Sequence, residues 1–184
     1  QANGCTVICD DIGWLSEPFF EDGIVASHVS ALVTNPNNPL IYVSSAGNSA
    51  LRHYQGNFID DGYGYNNKYH FVNMPTGSSI LVFLEWNDNF GHSANDYDLL
   101  VFDAVSGELL SWSVNAQSGT QNPLEVISFT NSGRTRDVVI SVGRYSGVIK
   151  TLELFIYTEN GAGLYLNNLV SADSIFGHSA VPDV

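Results

Sequence analysis

The chain has 184 residues, 44% of them hydrophobic and 14% charged, a balance that excludes an intrinsically disordered segment and allows one large or two small cores. Six Lys plus Arg against nineteen Asp plus Glu give a formal charge of −13, which would repel phosphate backbones and anionic lipid surfaces and argues against nucleic acid or membrane as partners. No apolar run approaches the ~20 residues that span a bilayer, and no basic stretch followed by an apolar one forms a signal peptide in this segment. Acidity of this size, with abundant Asn, Gly and Ser, fits an extracellular protein or one that binds divalent cations.

In chain order, Cys5 to Ile12 is a short apolar run ending in Asp10 and Asp11. A buried parallel strand reads in this way when its carboxyl end opens toward a site. Cys5 and Cys9, four residues apart on a strand, would lie about 13 Å from each other, too far for a disulfide. Two buried free thiols are expected. Val25, Val29, Leu32 and Val33 recur at helical spacing, with Asp22 as candidate cap and Pro36 as terminator. Leu40 to Ser45 is the next apolar run, closed by Gly47. Strand, helix and strand on short connections define one βαβ unit with parallel strands.

From about Tyr54 the helical period disappears. Strand-like runs follow at Tyr69 to Met74, Ile80 to Trp86, Asp98 to Ala104, Leu109 to Val114, Leu124 to Asn131, Asp137 to Gly143 and Thr151 to Thr158. Turn chemistry falls between them, at Pro75-Thr76-Gly77, Ser106-Gly107, Asn131-Ser132-Gly133 and Ser146-Gly147. Runs of this length and spacing predict an antiparallel sandwich or jelly roll. The tail from Leu164 to Val184 does not continue the alternation and reads as a return to the first unit. The fold class is thus an α/β fragment plus an all-β antiparallel sandwich, with segments 1–53, 54–172 and 173–184. A chain entering a strand within a few residues of Gln1, and stopping at Val184 after another apolar approach, is expected to be part of something longer.

The sharpest local signal is Val43-Ser44-Ser45-Ala46-Gly47-Asn48, a buried-looking strand that delivers a Gly and then a carboxamide. Ligand-facing groups of open α/β sheets sit at that end of a strand. A side-chain NH₂ held there can donate to a developing oxyanion, although Gly-Asn after a strand is also an ordinary turn. Gly4 to Ile12, then Glu17-Pro18-Phe19-Phe20-Glu21-Asp22-Gly23, then Ser44 to Asn48 resemble the middle of a subtilisin-type (peptidase family S8) catalytic domain, and Gly177-His178-Ser179-Ala180-Val181-Pro182-Asp183-Val184 resembles a later segment of it. The resemblance implies a parallel sheet, a secreted serine endopeptidase as the intact parent acting on protein or peptide substrates, and an oxyanion-hole role for Asn48. The family's Asp-Ser/Thr-Gly, His-Gly-Thr-His and Gly-Thr-Ser-Met-Ala motifs are absent, so this chain alone is expected to be inactive. Asp10 and Asp11 also stand where ordinary subtilisins carry a Ser-Gly pair.

Asn95-Asp96-Tyr97-Asp98-Leu99-Leu100-Val101-Phe102-Asp103 resembles a strand of bacterial pre-peptidase C-terminal (PPC) sandwiches, which implies a PPC-like insertion. Asp88, Asp96 and Asp98 are candidate Ca²⁺ ligands as hard oxygen donors, or simply turn and strand-end residues; no cofactor is required. The five histidines show no zinc-binding spacing, and Ser179, next to His178, is discounted as a nucleophile because catalytic pairs come from separate loops. Trp86, Trp112 and the tyrosines read mainly as core and sheet-face residues. The competing reading is a non-catalytic secreted binding module for protein or glycan, stabilised by calcium. In either case the incomplete βαβ sheet is expected to leave apolar surface open to self-association.

Overall fold

The computed structural model describes residues 4–37 and 40–184. Strand β1 (Val7–Asp10) and strand β2 (Ile41–Ser44) pair in parallel, Val7 beside Ile41 and Asp10 beside Ser44. Helix α1 (Ile24–Val33) joins them, burying Ala26 and Val29. The sequence places its cap at Asp22; instead Gly23 is the N-cap residue, with no side-chain capping bond of its own. The carboxylate of Glu17 reaches over to accept the Val25 amide. A Cβ at position 23 would collide with the Glu17 side chain, so glycine makes room for this cap from outside the helix. Pro36 stands just beyond the terminus, where the residue before a proline resists the helical conformation.

The remaining strands are β3 (His53–Asn57), β4 (His70–Met74), β5 (Ser79–Trp86), β6 (Asp96–Asp103), β7 (Leu109–Ser113), β8 (Leu124–Thr130), β9 (Arg136–Ser146), β10 (Thr151–Glu159) and β11 (Gly163–Leu164). They form two antiparallel sheets, in the orders β3-β10-β5-β8 and β11-β4-β9-β6-β7. Alternate residues face inward: Ile80, Val82, Leu84 and Trp86 from β5, Leu152, Leu154 and Ile156 from β10, Leu99 and Val101 from β6, Val138, Ile140 and Val142 from β9. This dry layer is the core of the sandwich, and the seven sequence-predicted runs all lie in it or beside it.

Part of the opposite face of the first sheet, around Glu85, Glu153 and Phe155, is buried as well. Glu85 and Glu153 are cross-strand neighbours, and Phe155 shares their face. Phe19, from the segment before α1, and Phe176, from the tail, lie edge-on to Phe155, each at 4.9 Å between ring centroids. The short 3₁₀ turn Gly177–Ala180 then packs on α1 and β2. The 3₁₀ turn of the tail thus packs on the first unit, and Phe19, Phe155 and Phe176 join that unit and the sandwich through an aromatic cluster.

Two expectations are corrected. Cys5 and Cys9 are free, as predicted, but both are exposed: Cys5 precedes β1, and Cys9 lies on the outer face of β1, whose sheet neighbour among the described residues is β2 alone. The sequence also shows no strand at His53–Asn57, although β3 pairs with β10 over its whole length.

A polar strand-end cluster and the cleft beside Asn48

Asp10 and Ser44 close their strands in register, so the carboxyl ends of β1 and β2 bring a carboxylate and a hydroxyl together. Ser44 Oγ donates to Asp10 Oδ1 at 2.6 Å, and Tyr42, on the same face, donates its hydroxyl to Oδ2. The buried His178 brings Nε2 to 3.1 Å from the same carboxylate, and Ser179 Oγ lies 2.8 Å from Ser44 Oγ. Burial pushes the Asp10 carboxyl up, but the bonds from Ser44, Tyr42 and His178 outweigh it and hold the group below its ordinary value. The Tyr42 hydroxyl is pushed up to about 12, by burial and then by the neighbouring Asp10 charge.

Asp, His and Ser meet here, but not as a catalytic relay. A relay needs the acid on one ring nitrogen and the serine on the other. In this cluster Nε2 faces both Asp10 and Ser44, the latter at 3.3 Å. The arrangement is a clasp that fastens the tail to both strand ends. Sequence reading missed it because its partners are 168 positions apart.

Beyond Ser44 the chain turns at Gly47, whose φ of +73° belongs to the left-handed region. A Cβ there would meet nothing within 4 Å, so the backbone angle rather than space requires glycine. The turn puts the exposed Asn48 on the wall of a cleft of about 300 Å³. Asp11, Ile12 and Ser45 line it from the ends of β1 and β2, Arg52 from the junction before β3, Tyr157 from β10 and Phe176 from the tail. Asn48 and Asp11, both placed just beyond strand ends, line this same cleft.

The three candidate calcium ligands are distributed differently. Asp88 faces Lys150 Nζ at 2.6 Å and accepts from Asn95 and Ser93. Burial pushes it up, but these partners hold its carboxyl below the usual range. Asp96 and Asp98 lie on β6, and Asp98 is raised to about 6 by burial and by the charges of Asp96 and Glu125. Among the described residues no group of three or more His, Cys, Asp or Glu side chains stands in a metal-holding arrangement.

Comparison with known proteins gives fold-level likeness. No family model and no curated protein matches the chain. Among solved structures, the Clostridium perfringens CspB protease overlaps 92% of this chain at 11% identity with a TM-score of 0.53, so nearly the whole described architecture is shared. That overlap covers 39% of the CspB chain. The pre-peptidase C-terminal domain of a Bacillus anthracis collagenase covers 57% of this chain and 87% of its own, at 12% identity and a TM-score of 0.37. The Yersinia pseudotuberculosis-derived mitogen covers 59% of this chain and 85% of its own, at 10% identity and a TM-score of 0.35. The last two overlaps are too loose to define a common topology. The chain is mostly antiparallel β-sheet in a sandwich, and its likeness to the CspB protease is one of fold.

Proposed function

We propose that the chain is the oxyanion-loop portion of a secreted subtilisin-like serine endopeptidase, with a PPC-like β-sandwich inserted after the loop. The observation that carries this reading is the exposed carboxamide of Asn48, at the carboxyl end of a parallel strand and on the wall of a cleft. The overlap with the CspB protease supports it. In the acyl-transfer step the Asn48 NH₂ would donate to the carbonyl oxygen as it gains charge, an interaction stronger in the transition state than in the ground state. The nucleophile and base would come from segments outside this chain, since the acid, histidine and serine of the clasp are arranged for fastening.

The test has two arms. The 184-residue chain alone should neither hydrolyse casein nor react with a fluorophosphonate probe. The product of the complete gene should hydrolyse peptides, and Asn48→Ala should lower its kcat by about 10²–10³ with a much smaller change in KM, as for loss of one oxyanion donor. Labelling of the isolated chain at any serine, or full kcat in the variant, would overturn the reading. A complete gene product without hydrolysis would leave the sandwich as a binding module.

A further inference from the structure

Only six cationic side chains offset the nineteen acidic ones. Among the described residues Arg136 pairs with Asp103, Arg144 with Asp60 and Lys150 with Asp88. Arg52 has no such partner there, and it lines the same cleft as Asn48. Its backbone is fixed at both ends, since its amide donates to Ser49 O and its carbonyl accepts from Ile156 N, each at 2.8 Å. Its guanidinium carbon lies 5.6 Å from the centre of the Tyr157 ring. The Tyr157 hydroxyl is in turn tied to Ser49 Oγ at 3.0 Å. A guanidinium laid against an aromatic ring spends its flat face on that ring and keeps its in-plane N–H donors for a ligand.

Resting on the peptidase reading, we propose that Arg52 is a specificity-determining residue: the cleft beside Asn48 receives an acidic side chain of the peptide substrate, and its carboxylate is met by the Arg52 guanidinium. The cleft of about 300 Å³ is at the small end of ligand pockets and has room for an acidic side chain of a substrate. A planar fork of donors fits a carboxylate in the bidentate way an ammonium cannot. Asp11 lines the same cleft and repels a carboxylate placed against it, which disfavours binding of the acid at that residue. The junction leading into β3 would then supply the selectivity while the end of β2 supplies the oxyanion donor.

Two measurements test this. N-acetyl-glutamate N-methylamide and its glutamine counterpart are titrated into the isotope-labelled chain at low salt, following the Arg52 Nε–H and Asn48 side-chain NH₂ signals by NMR. The glutamate ligand should bind about tenfold more tightly. That preference should vanish in Arg52→Gln, survive in part in Arg52→Lys and grow in Asp11→Asn. Equal binding of the two ligands, or a preference that survives Arg52→Gln in a chain with an unaltered melting curve, overturns the proposal. In the complete gene product, the ratio of kcat/KM for a Glu-containing peptide to that for its Gln analogue should fall about tenfold in Arg52→Gln. Should Asn48→Ala leave hydrolysis intact while the Arg52 preference persists, the oxyanion role falls and the acid-binding cleft stands. Should Asn48→Ala behave as argued while the preference is absent, the Arg52 assignment falls alone.

Discussion

Glu85 occupies an outward position on β5, yet it has no exposed surface, because the segment carrying Phe19 lies over it. Its Oε2 accepts the Phe19 amide at 2.9 Å, while Oε1 is buried among the described residues without a partner. Burial, opposed by the Phe19 amide and reinforced by the Glu153 charge, raises its pKa from an ordinary 4.5 to about 9. The folded chain therefore keeps a proton that the unfolded chain releases. This group's contribution to stability is full below about pH 4.5 and is lost as the pH rises through about 9. Glu85→Gln retains the acceptor for Phe19 and cannot ionise, so its melting temperature should fall less than that of the parent chain between pH 5 and pH 9. Thermal unfolding at a series of pH values decides it, and equal slopes for the two proteins would refute the assignment. His70 works in the opposite direction. Burial lowers it to about 4, so its contribution is present above its ordinary 6.5 and is lost as the pH falls through about 4.

At the scale of elements, what was legible in the sequence follows from which forces are local. The inward alternation of Ile80, Val82, Leu84 and Trp86, and of Leu152, Leu154 and Ile156, is written in consecutive residues and was read correctly as strand. Strand β3 was not legible: Gln55, Gly56 and Asn57 are poor strand formers, and pairing with β10 overrides their preferences. The position of Asn48 at a strand end could be seen in Val43 to Gly47. The clasp around Asp10 and the burial of Glu85 could not, because both depend on how distant segments dock. Among the described residues, the buried side chains of the sandwich core come from positions 54 to 156, with none from α1 or β2. Residues 53–170 expressed alone should therefore show a cooperative thermal transition by circular dichroism, at a lower temperature than the whole chain because Phe155 and Glu85 lose their cover. A segment without a cooperative transition would mean that Phe19 and Phe176 are part of the minimal folding unit.

The whole molecule carries its apolar surface unevenly. The described sandwich closes its core between two sheets, whereas β1 and β2 form a two-stranded parallel sheet covered on one side by α1 and the 3₁₀ turn. Val7 and Ile41, paired in register, are 56% and 62% exposed, and the next pair on that face is Cys9 with Val43. Parallel sheets are ordinarily covered on both faces, and a contiguous apolar patch of this kind favours association of the isolated chain with itself. The charge of −13 opposes the approach of a second copy. Screening by salt weakens that repulsion while leaving the apolar attraction in place, so the two terms can be separated by ionic strength. Sedimentation velocity of the chain under reducing conditions, which remove Cys5 and Cys9 cross-links from consideration, should show a weight-average mass that rises with protein concentration and rises further with added salt. The Val7→Lys, Ile41→Lys double variant replaces two exposed side chains and should remain monomeric under both conditions with its sandwich transition unchanged. A wild-type chain that stays monomeric at high concentration and high salt would show that this face does not drive association.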